Sequence, residues 1–337
     1  MEEGGGQGAA RERSRRRWVS AICWTLAGFF MLWAILRIGG LERGYPLVQM
    51  VAYTPYVLML SLLALLVVVL CRRWLAAGFL AIAVIALALA VLPRAIGGPE
   101  SMPGARPVRI LTFNLAKSKA ETRAVVEEAA RREVDLIFLQ ELTRKKAREL
   151  NRAGLGSSYP HQVMSFSEKY GNGIWSRWPL IRRESLPVKE QPRADVRVPD
   201  SIPIEVVSAH PTAPIHRSDM GLWERDYGVF PPAFSAGIPI VLAGDFNATL
   251  DHANLRNVID TGYRDAAEVI GDGLAPTWPS TIQFPPPVTI DHVLAEKGIA
   301  FSQYDVVKIP GSDHKAIFTE ILLPPVAGEN GSAAGET

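Results

Sequence analysis

The chain has 337 residues, a formal net charge of +2, 48% hydrophobic residues and two cysteines. The length leaves room for more than one domain, and two cysteines exclude a disulfide-stapled scaffold or a cysteine-rich zinc module. The near-balance of charge hides an asymmetry: the first 100 residues hold ten basic and five acidic side chains, and the remaining 237 hold 26 and 29. The longer part is therefore slightly acidic, unlike a protein built to grip a polyanion.

Residues 1–17 contain Arg11, Arg13, Arg15, Arg16 and Arg17 without apolar periodicity, and are expected to be a disordered basic terminus. Three uncharged runs follow, Trp18 to Leu36, Gly44 to Cys71 and Trp74 to Pro93. Each is long enough to cross a hydrocarbon core of about 30 Å at the rise of an α-helix, so residues 18–93 are predicted to form three transmembrane helices. One leading run would suit a signal peptide. Three in succession, the first without a small-residue cleavage site, favour retained spans. Five arginines precede the first span and Arg72-Arg73 separates the second from the third, whereas the intervening loop holds only Arg37 and Arg43. The positive-inside rule then puts the N-terminus in the cytoplasm and everything after Pro93 on the extracytoplasmic side of the cell membrane.

Residues 94–107, rich in Gly and Pro, are the expected linker, 108–324 the exported domain, and the Gly/Ala-rich residues 325–337 a disordered tail. Both cysteines, Cys23 and Cys71, lie before the linker, so the exported domain depends on a hydrophobic core that roughly 220 residues can supply. A flexible linker implies that a cut before Ser101 leaves activity on a water-soluble substrate unchanged.

Within 108–324, short apolar runs end repeatedly in polar residues. Ile110 to Asn114, Asp135 to Glu141 after a helical stretch from about Ala120 to Arg132, Glu205 to His210, and Pro239 to Asn247 each read as a buried strand that opens into a loop. Strand exits are where a sheet presents side chains to a ligand. Gly244 is expected to allow a tight turn from which Asp245 and Asn247 project. Asp291, Asp313 and His314 follow. Any one of these residues alone has an ordinary structural explanation in turn chemistry or solvation. Trp223, Tyr227 and Phe230 have the spacing of core aromatics, although the stretch from His216 to Phe230 could instead cover the site or touch lipid. Trp278 suits either packing or the wall of a cleft. Lys169 and Arg177 flank a Gly-rich turn and would add positive charge, and Gln283 to Pro287 forms an extended apolar loop beside Asp291.

Seven motifs taken in order carry more weight: Thr112-Phe113-Asn114, Gln140-Glu141, Gly171 to Arg177, Ser208-Ala209-His210, Gly244-Asp245-Phe246-Asn247, Ile290-Asp291-His292 and Gly311-Ser312-Asp313-His314. With them the chain resembles the endonuclease/exonuclease/phosphatase superfamily from about Arg106 to Leu323. The resemblance implies a two-sheet α/β/β/α sandwich, here preceded by the three transmembrane helices. It also implies a Mg²⁺-dependent hydrolase of phosphoric esters or anhydrides, with Mn²⁺ as the alternative ion. Phosphate resists attack because its oxygens are already anionic, so a hard cation with oxygen ligands and positioned donors must come before the nucleophile.

By the same resemblance Glu141 anchors the metal with Asn114 and Asp313, and Asp245 orients and deprotonates the attacking water. Asn247 and His210 donate to phosphate oxygens, and Asp291 orients His314 against the scissile phosphate. Whether His314 is a charged donor or a base stays open. The layout of three spans and an exported phosphohydrolase is similar to the actinobacterial VanJ-type teicoplanin-resistance proteins. That similarity implies the lipid bilayer as a partner, a lipid-linked substrate such as undecaprenyl diphosphate, and glycopeptide tolerance. Two alternatives use other chemistry: a surface nuclease or phospholipid phosphodiesterase of sphingomyelinase type, and a noncatalytic wall-binding module.

Overall fold

In the computed structural model, which describes residues 4–167, 170–281 and 284–325, the chain divides into two units. One contains the residues up to Arg43 together with Tyr53–Pro93, and the other contains Gly44–Ala52 together with everything from Arg94 onward.

The first unit consists of α1 (Gly4–Gly39), α3 (Thr54–Leu70) and α4 (Trp74–Val91). Small residues such as Ala27, Ala34, Ala77 and Ala83 lie in its buried core, while Leu62, Leu75 and Leu89 face outward and are exposed. Helices apolar on every side suit lipid rather than water. Two helical stretches, Arg11–Gly39 and Trp74–Ala95, are long and apolar enough to span a membrane; α3, with 17 residues, is shorter. Of the three expected spans, two are thus matched by helices long enough to cross and the third by a shorter apolar helix. The basic stretch also departs from expectation, because Arg11 to Arg17 continue α1 as helix. Residues 1–3 and the tail beyond Pro325 lie outside the described residues.

The second unit is a sandwich of two six-stranded mixed sheets. The first has the order β11 (Ala300–Val307), β12 (Ala316–Leu323), β1 (Arg106–Asn114), β2 (Leu136–Leu142), β4 (Gly171–Ser176), β3 (His161–Phe166). The second has β5 (Leu180–Leu186), β6 (Gln191–Val196), β7 (Ile204–Ala209), β8 (Ile240–Asp245), β10 (Asp291–Glu296), β9 (Tyr263–Asp265). Helices α5 (Thr122–Arg131) and α6 (Arg144–Leu150), with the short α7 (Gly156–Ser158), follow strands of the first sheet. Helices α8 (Met220–Tyr227), α9 (Ala253–Asp260) and α10 (Ala266–Ile270) belong to the second half. The expected α/β/β/α layering is present.

Alternation along the central strands explains the layers. Val108 and Ile110, Leu136 and Phe138, Val206, Val241 and Val293 meet between the sheets. Their neighbours Leu111, Phe113, Ile137 and Leu139 pack outward with α5 and α6, and Val207 and Leu242 pack outward with Trp223 of α8 and Leu255 of α9. A strand buried on both faces needs no polar alternation, which is why these runs are continuously apolar. Trp223, Tyr227 and Phe230 are core residues, as their spacing suggested.

The expected linker is not one. Arg94 forms a bidentate ion pair with Asp251 at 2.6 and 2.9 Å, both side chains being buried. Glu100 pairs with Arg264 at 2.5 Å and accepts from the Phe301 backbone N–H. A Cβ on Gly97 would lie 2.2 Å from the Val269 carbonyl oxygen, so only glycine permits this approach. The segment Gly44–Ala52, which contains the short helix α2 (Leu47–Val51), belongs to the same unit through Val48, buried among Phe246, Leu250 and Leu255.

Candidate active site

The inward stripe of each central strand runs from apolar, through a polar layer, to a reactive side chain. Val108 and Ile110 lead to Thr112 and then Asn114, Val206 leads to Ser208 and then His210, and Val241 and Ala243 lead to Asp245. The period of two therefore aims these residues at one end of the space between the sheets. Just beneath them Gln140 crosses that space, donating through Nε2 to Thr112 Oγ1 at 3.3 Å and to Ser208 Oγ at 3.2 Å. All three side chains are buried.

Topology brings in the rest. β1 and β2 are parallel, as are β7 and β8, so their C-terminal ends share one rim. β12 runs antiparallel to β1 and β10 antiparallel to β8, so the starts of those two strands reach the same rim. Asp291 thereby sits directly opposite Asp245 in the β8–β10 register. His292, one residue on, points to the opposite face and is held by Asp265 at 2.9 Å and the Ala248 carbonyl at 3.0 Å. It is a structural histidine.

Two site residues break the strand rule. Glu141 has a left-handed backbone, φ 53°, where the β2–β4 register slips between Leu139 and Leu142. This bulge re-aims its carboxylate, and such non-glycine strain concentrates at functional positions. Asn247, at φ 49°, turns its side chain back so that Nδ2 donates to the Pro211 carbonyl at 3.1 Å. Gly244 corrects the expectation of a turn: it lies within β8, and a Cβ there would meet the Ala209 carbonyl oxygen at 1.9 Å. Close strand approach, not left-handed freedom, demands glycine at this position.

Asp245, Asp291 and His314 form a buried cluster, offering one ligand or proton-transfer atom each within 4.8 Å of one another. His314 Nδ1 lies 3.0 Å from Asp291 Oδ2, and its Nε2 lies 3.7 Å from Asp245 Oδ2. Asp245 also accepts from Asn114 Nδ2 at 2.9 Å and from the Asn247 backbone N–H at 2.8 Å. Burial pushes Asp245 up to about 6, with Asp291 adding to the rise and His314 opposing it. Burial works against charge on His314, but Asp291 and Asp245 outweigh it and raise the imidazole to about 10. His210 moves the other way, far below the ordinary histidine range, through burial and the positive charges of Lys189 and His314. The site thus holds one imidazolium, one neutral imidazole and a carboxylate that titrates near neutrality. A first prediction follows for kcat/KM. It falls as pH drops through about 6, where Asp245 takes up its proton, and falls again as pH rises through about 10, where His314 loses its own. A flat profile between pH 5 and 9 would remove Asp245 as the base.

Asn114 Nδ2 reaches Glu141 Oε1 at 3.4 Å, while Glu141 Oε2 accepts from the Lys117 backbone N–H at 2.6 Å. Glu141 lines a cavity, and among the described residues its first oxygen is held only by that long contact. Glu141 Oε1 suits a hard divalent cation, whereas Asn114 turns its amide nitrogen to the two carboxylates and its Oδ1 accepts from the Ala116 N–H at 2.9 Å. The three-residue cluster fits one less well, since His314 already supplies the positive charge between its carboxylates. Asp313 is exposed and accepts from the Trp278 indole N–H at 3.2 Å. Trp278 itself stands 6.5 Å, ring to ring, from His314 and so walls the site. Of the flanking charges expected to serve phosphate, Arg177 instead pairs with Asp135 at 3.7 Å and lies over Tyr159, and Lys169 is outside the described residues. Lys117 and Lys189, which no strand-end pattern singled out, line the cavity instead.

A sequence profile described as the endonuclease/exonuclease/phosphatase family matches residues 111–314. The chain belongs to that family. Similar solved structures include an endonuclease/exonuclease/phosphatase protein from Beutenbergia cavernae, 16% identical, with a TM-score of 0.51 over 65% of this chain and 72% of that one. An AP endonuclease from Archaeoglobus fulgidus is 15% identical with a TM-score of 0.51, covering 63% of this chain and 98% of its own. A humanized D. rerio TDP2 is 18% identical with a TM-score of 0.50, covering 64% and 98%. No curated protein sequence matches the chain. At these identities the structural likeness establishes the fold. Members of the family are divalent-metal-dependent hydrolases of phosphoester bonds. Glu141→Gln is accordingly expected to raise the divalent-ion concentration needed for half-maximal activity by about tenfold or more, with the fold retained. Metal titration of turnover measures this, and full activity in excess chelator would contradict it.

Proposed function

We propose that the protein is a membrane-tethered, extracytoplasmic phosphohydrolase whose substrate is lipid-linked, a polyprenyl diphosphate of the cell-wall cycle, and that it thereby gives glycopeptide tolerance. The observation that carries this reading is the burial of Val48. The segment between the first two apolar helices is part of the catalytic unit, so segment and domain must share one side of any membrane. α3 and α4 then cross together or not at all, and the apolar length of α4 supports crossing. At 17 residues α3 covers about 26 Å, close to the hydrocarbon thickness once its flanks are included. Three crossings with the arginine bias favour an exported domain. Reporter fusions at Arg73 and Gly98 test this: the first is expected to be cytoplasmic and the second exported. Phe284, 96% exposed on the loop that precedes Asp291, adds an apolar contact suited to a lipid surface.

Hydrolysis on this geometry is an in-line displacement. Asp245 takes a proton from water as the water oxygen bonds to phosphorus, and the bridging P–O bond breaks to release the departing phosphate as its anion, which takes up any proton from solvent. His314, charged and fixed by Asp291, donates to the phosphoryl group, and neutral His210 and the Asn247 amide supply further donors. Glu141 and Asn114 would hold the divalent ion, Mg²⁺ by its preference for hard oxygens, with Asp313 as a further ligand; when bound it offsets charge on the phosphoryl oxygens.

The test is phosphate release by the full-length protein from undecaprenyl diphosphate, sphingomyelin, inositol phosphates and plasmid DNA, with magnesium or manganese. Fastest turnover of the diphosphate is expected. A preference for DNA would replace this reading with the nuclease.

A further inference from the structure

Beside Glu141 and His210 lies a cavity of about 180 Å³, whose other walls include Lys117, Ser167, Tyr170, Asn172 and Lys189. Both lysines are exposed, and neither ammonium group has a hydrogen bond or ion pair among the described residues. Both sit on left-handed backbone. Ala116, Lys117 and Ser118 form a run at φ 48°, 56° and 64°, and Lys189 and Glu190 follow at 48° and 53°. Such conformations are unfavourable for side-chain-bearing residues and persist only where the surroundings impose them. Here the surroundings are the site itself. The Lys117 N–H donates to Glu141 Oε2 at 2.6 Å, Ser118 Oγ donates to the Glu141 carbonyl at 3.1 Å, and Asn172 Nδ2 donates to the Lys189 carbonyl at 3.2 Å. With its amide nitrogen committed in this way, Asn172 is left with a buried Oδ1 that has no partner among the described residues.

An unpaired acceptor on a residue that lines the same cavity as two free cations narrows the choice of ligand. The cations call for anionic oxygens, and Oδ1 calls for a donor on the same group. A phosphoryl group that retains one proton offers both, its P–OH to Asn172 and its ionised oxygens to the lysines. A carboxylate or a fully ionised anion lacks the donor. Because Glu141 and His210 belong both to this cavity and to the hydrolytic site, the group it holds must be next to the one attacked.

We propose that the cavity binds the terminal phosphoryl group of a diphosphate while its neighbour is attacked, making Lys117 and Lys189 specificity-determining residues. This rests on the phosphohydrolase reading above and deepens it. Such a cavity favours an anhydride over a simple diester in a site whose hydrolytic residues would serve either. Charge-assisted hydrogen bonds of this type correspond to about tenfold to a hundredfold in discrimination.

The experiment compares wild type, K117M, K189M and K117M/K189M, all full-length in detergent, on a short-chain isoprenyl diphosphate and on bis(p-nitrophenyl) phosphate, which has no second phosphoryl group. The ratio of kcat/KM for diphosphate over diester is expected to fall about tenfold or more in the double variant, mainly through KM, and in part in each single variant. An unchanged ratio overturns the proposal, as does an equal loss on both substrates, which would assign the lysines to the attacked phosphate. If wild type cleaves the diester but not the diphosphate, the functional reading fails on its own. The cavity is then judged by inhibition of diester hydrolysis with inorganic pyrophosphate: a tenfold weaker inhibition in the double variant upholds it, and equal inhibition rejects it.

Discussion

Asp245→Asn and His314→Ala should each lower kcat by about 10² to 10⁴, the usual cost of losing a positioned base or a charged donor to phosphoryl oxygen. The geometry also predicts how the losses combine. Asp245 and Asp291 face each other across two strands, and His314 contacts both, so the three form one charge network. Removing either end disables the same step, and the double variant should be little worse than the worse single one. Asp291→Asn gives an independent reading. It withdraws the largest contribution that keeps His314 protonated, so the alkaline limb of the pH profile should move to lower pH while the acid limb, set mainly by burial of Asp245, should persist. Steady-state kinetics across pH 5–11 measures all three variants. Changes confined to KM would move Asp245 and His314 from the chemical step to substrate binding.

How much of this was legible in the sequence depended on which physical rule placed each residue. Asn114, His210 and Asp245 continue the inward stripe of a strand, so alternation and a polar terminus were enough to mark them. Asp291 and His314 required the order of motifs, because only the antiparallel return of β10 and β12 brings them to the same rim. Glu141 was marked by its motif, although its side-chain direction comes from a bulge that no periodicity reveals. Lys117 and Lys189 gave no signal at all. Lysines in polar turns look like ordinary solvated surface, and the left-handed backbone that aims them at the cavity depends on long-range hydrogen bonds to Glu141 and Asn172. Composition misled at residues 94–107. Gly and Pro there suggested a tether, yet Gly97 is required for tight packing and Arg94 is a buried ion-pair partner, contexts set by residues more than 150 positions away.

The consequence of that packing is a large expected loss when the residues before Ser101 are removed. A cut before Ser101 takes away Arg94, leaving Asp251 without its bidentate partner in a buried setting, a change that typically costs about 3–5 kcal/mol. It also removes Val48, whose full burial contributes about 1.5–3 kcal/mol. Together these approach the whole margin of about 5–15 kcal/mol that holds a domain folded. The damage should be concentrated near the chemistry. The Val48 carbonyl lies 2.9 Å from His252 Nε2, and His252 Nδ1 accepts from the Thr249 N–H in the loop that follows Asn247. Gln49 Nε2 donates to the Pro214 carbonyl in the loop that follows His210, and Asn247 itself joins the two loops through Pro211. The released domain should therefore melt well below the full-length protein and lose activity on a water-soluble substrate, contrary to what a flexible linker would give. Val48→Asp separates the two causes, because it keeps the apolar helices and Arg94 while placing a charge in an apolar cluster; about 3 kcal/mol or more of stability should be lost. Thermal unfolding in detergent, with hydrogen exchange followed over residues 211–219 and 248–252, measures both. A released domain as stable and active as the intact protein would show that Gly44–Ala52 rests on the fold without supporting it.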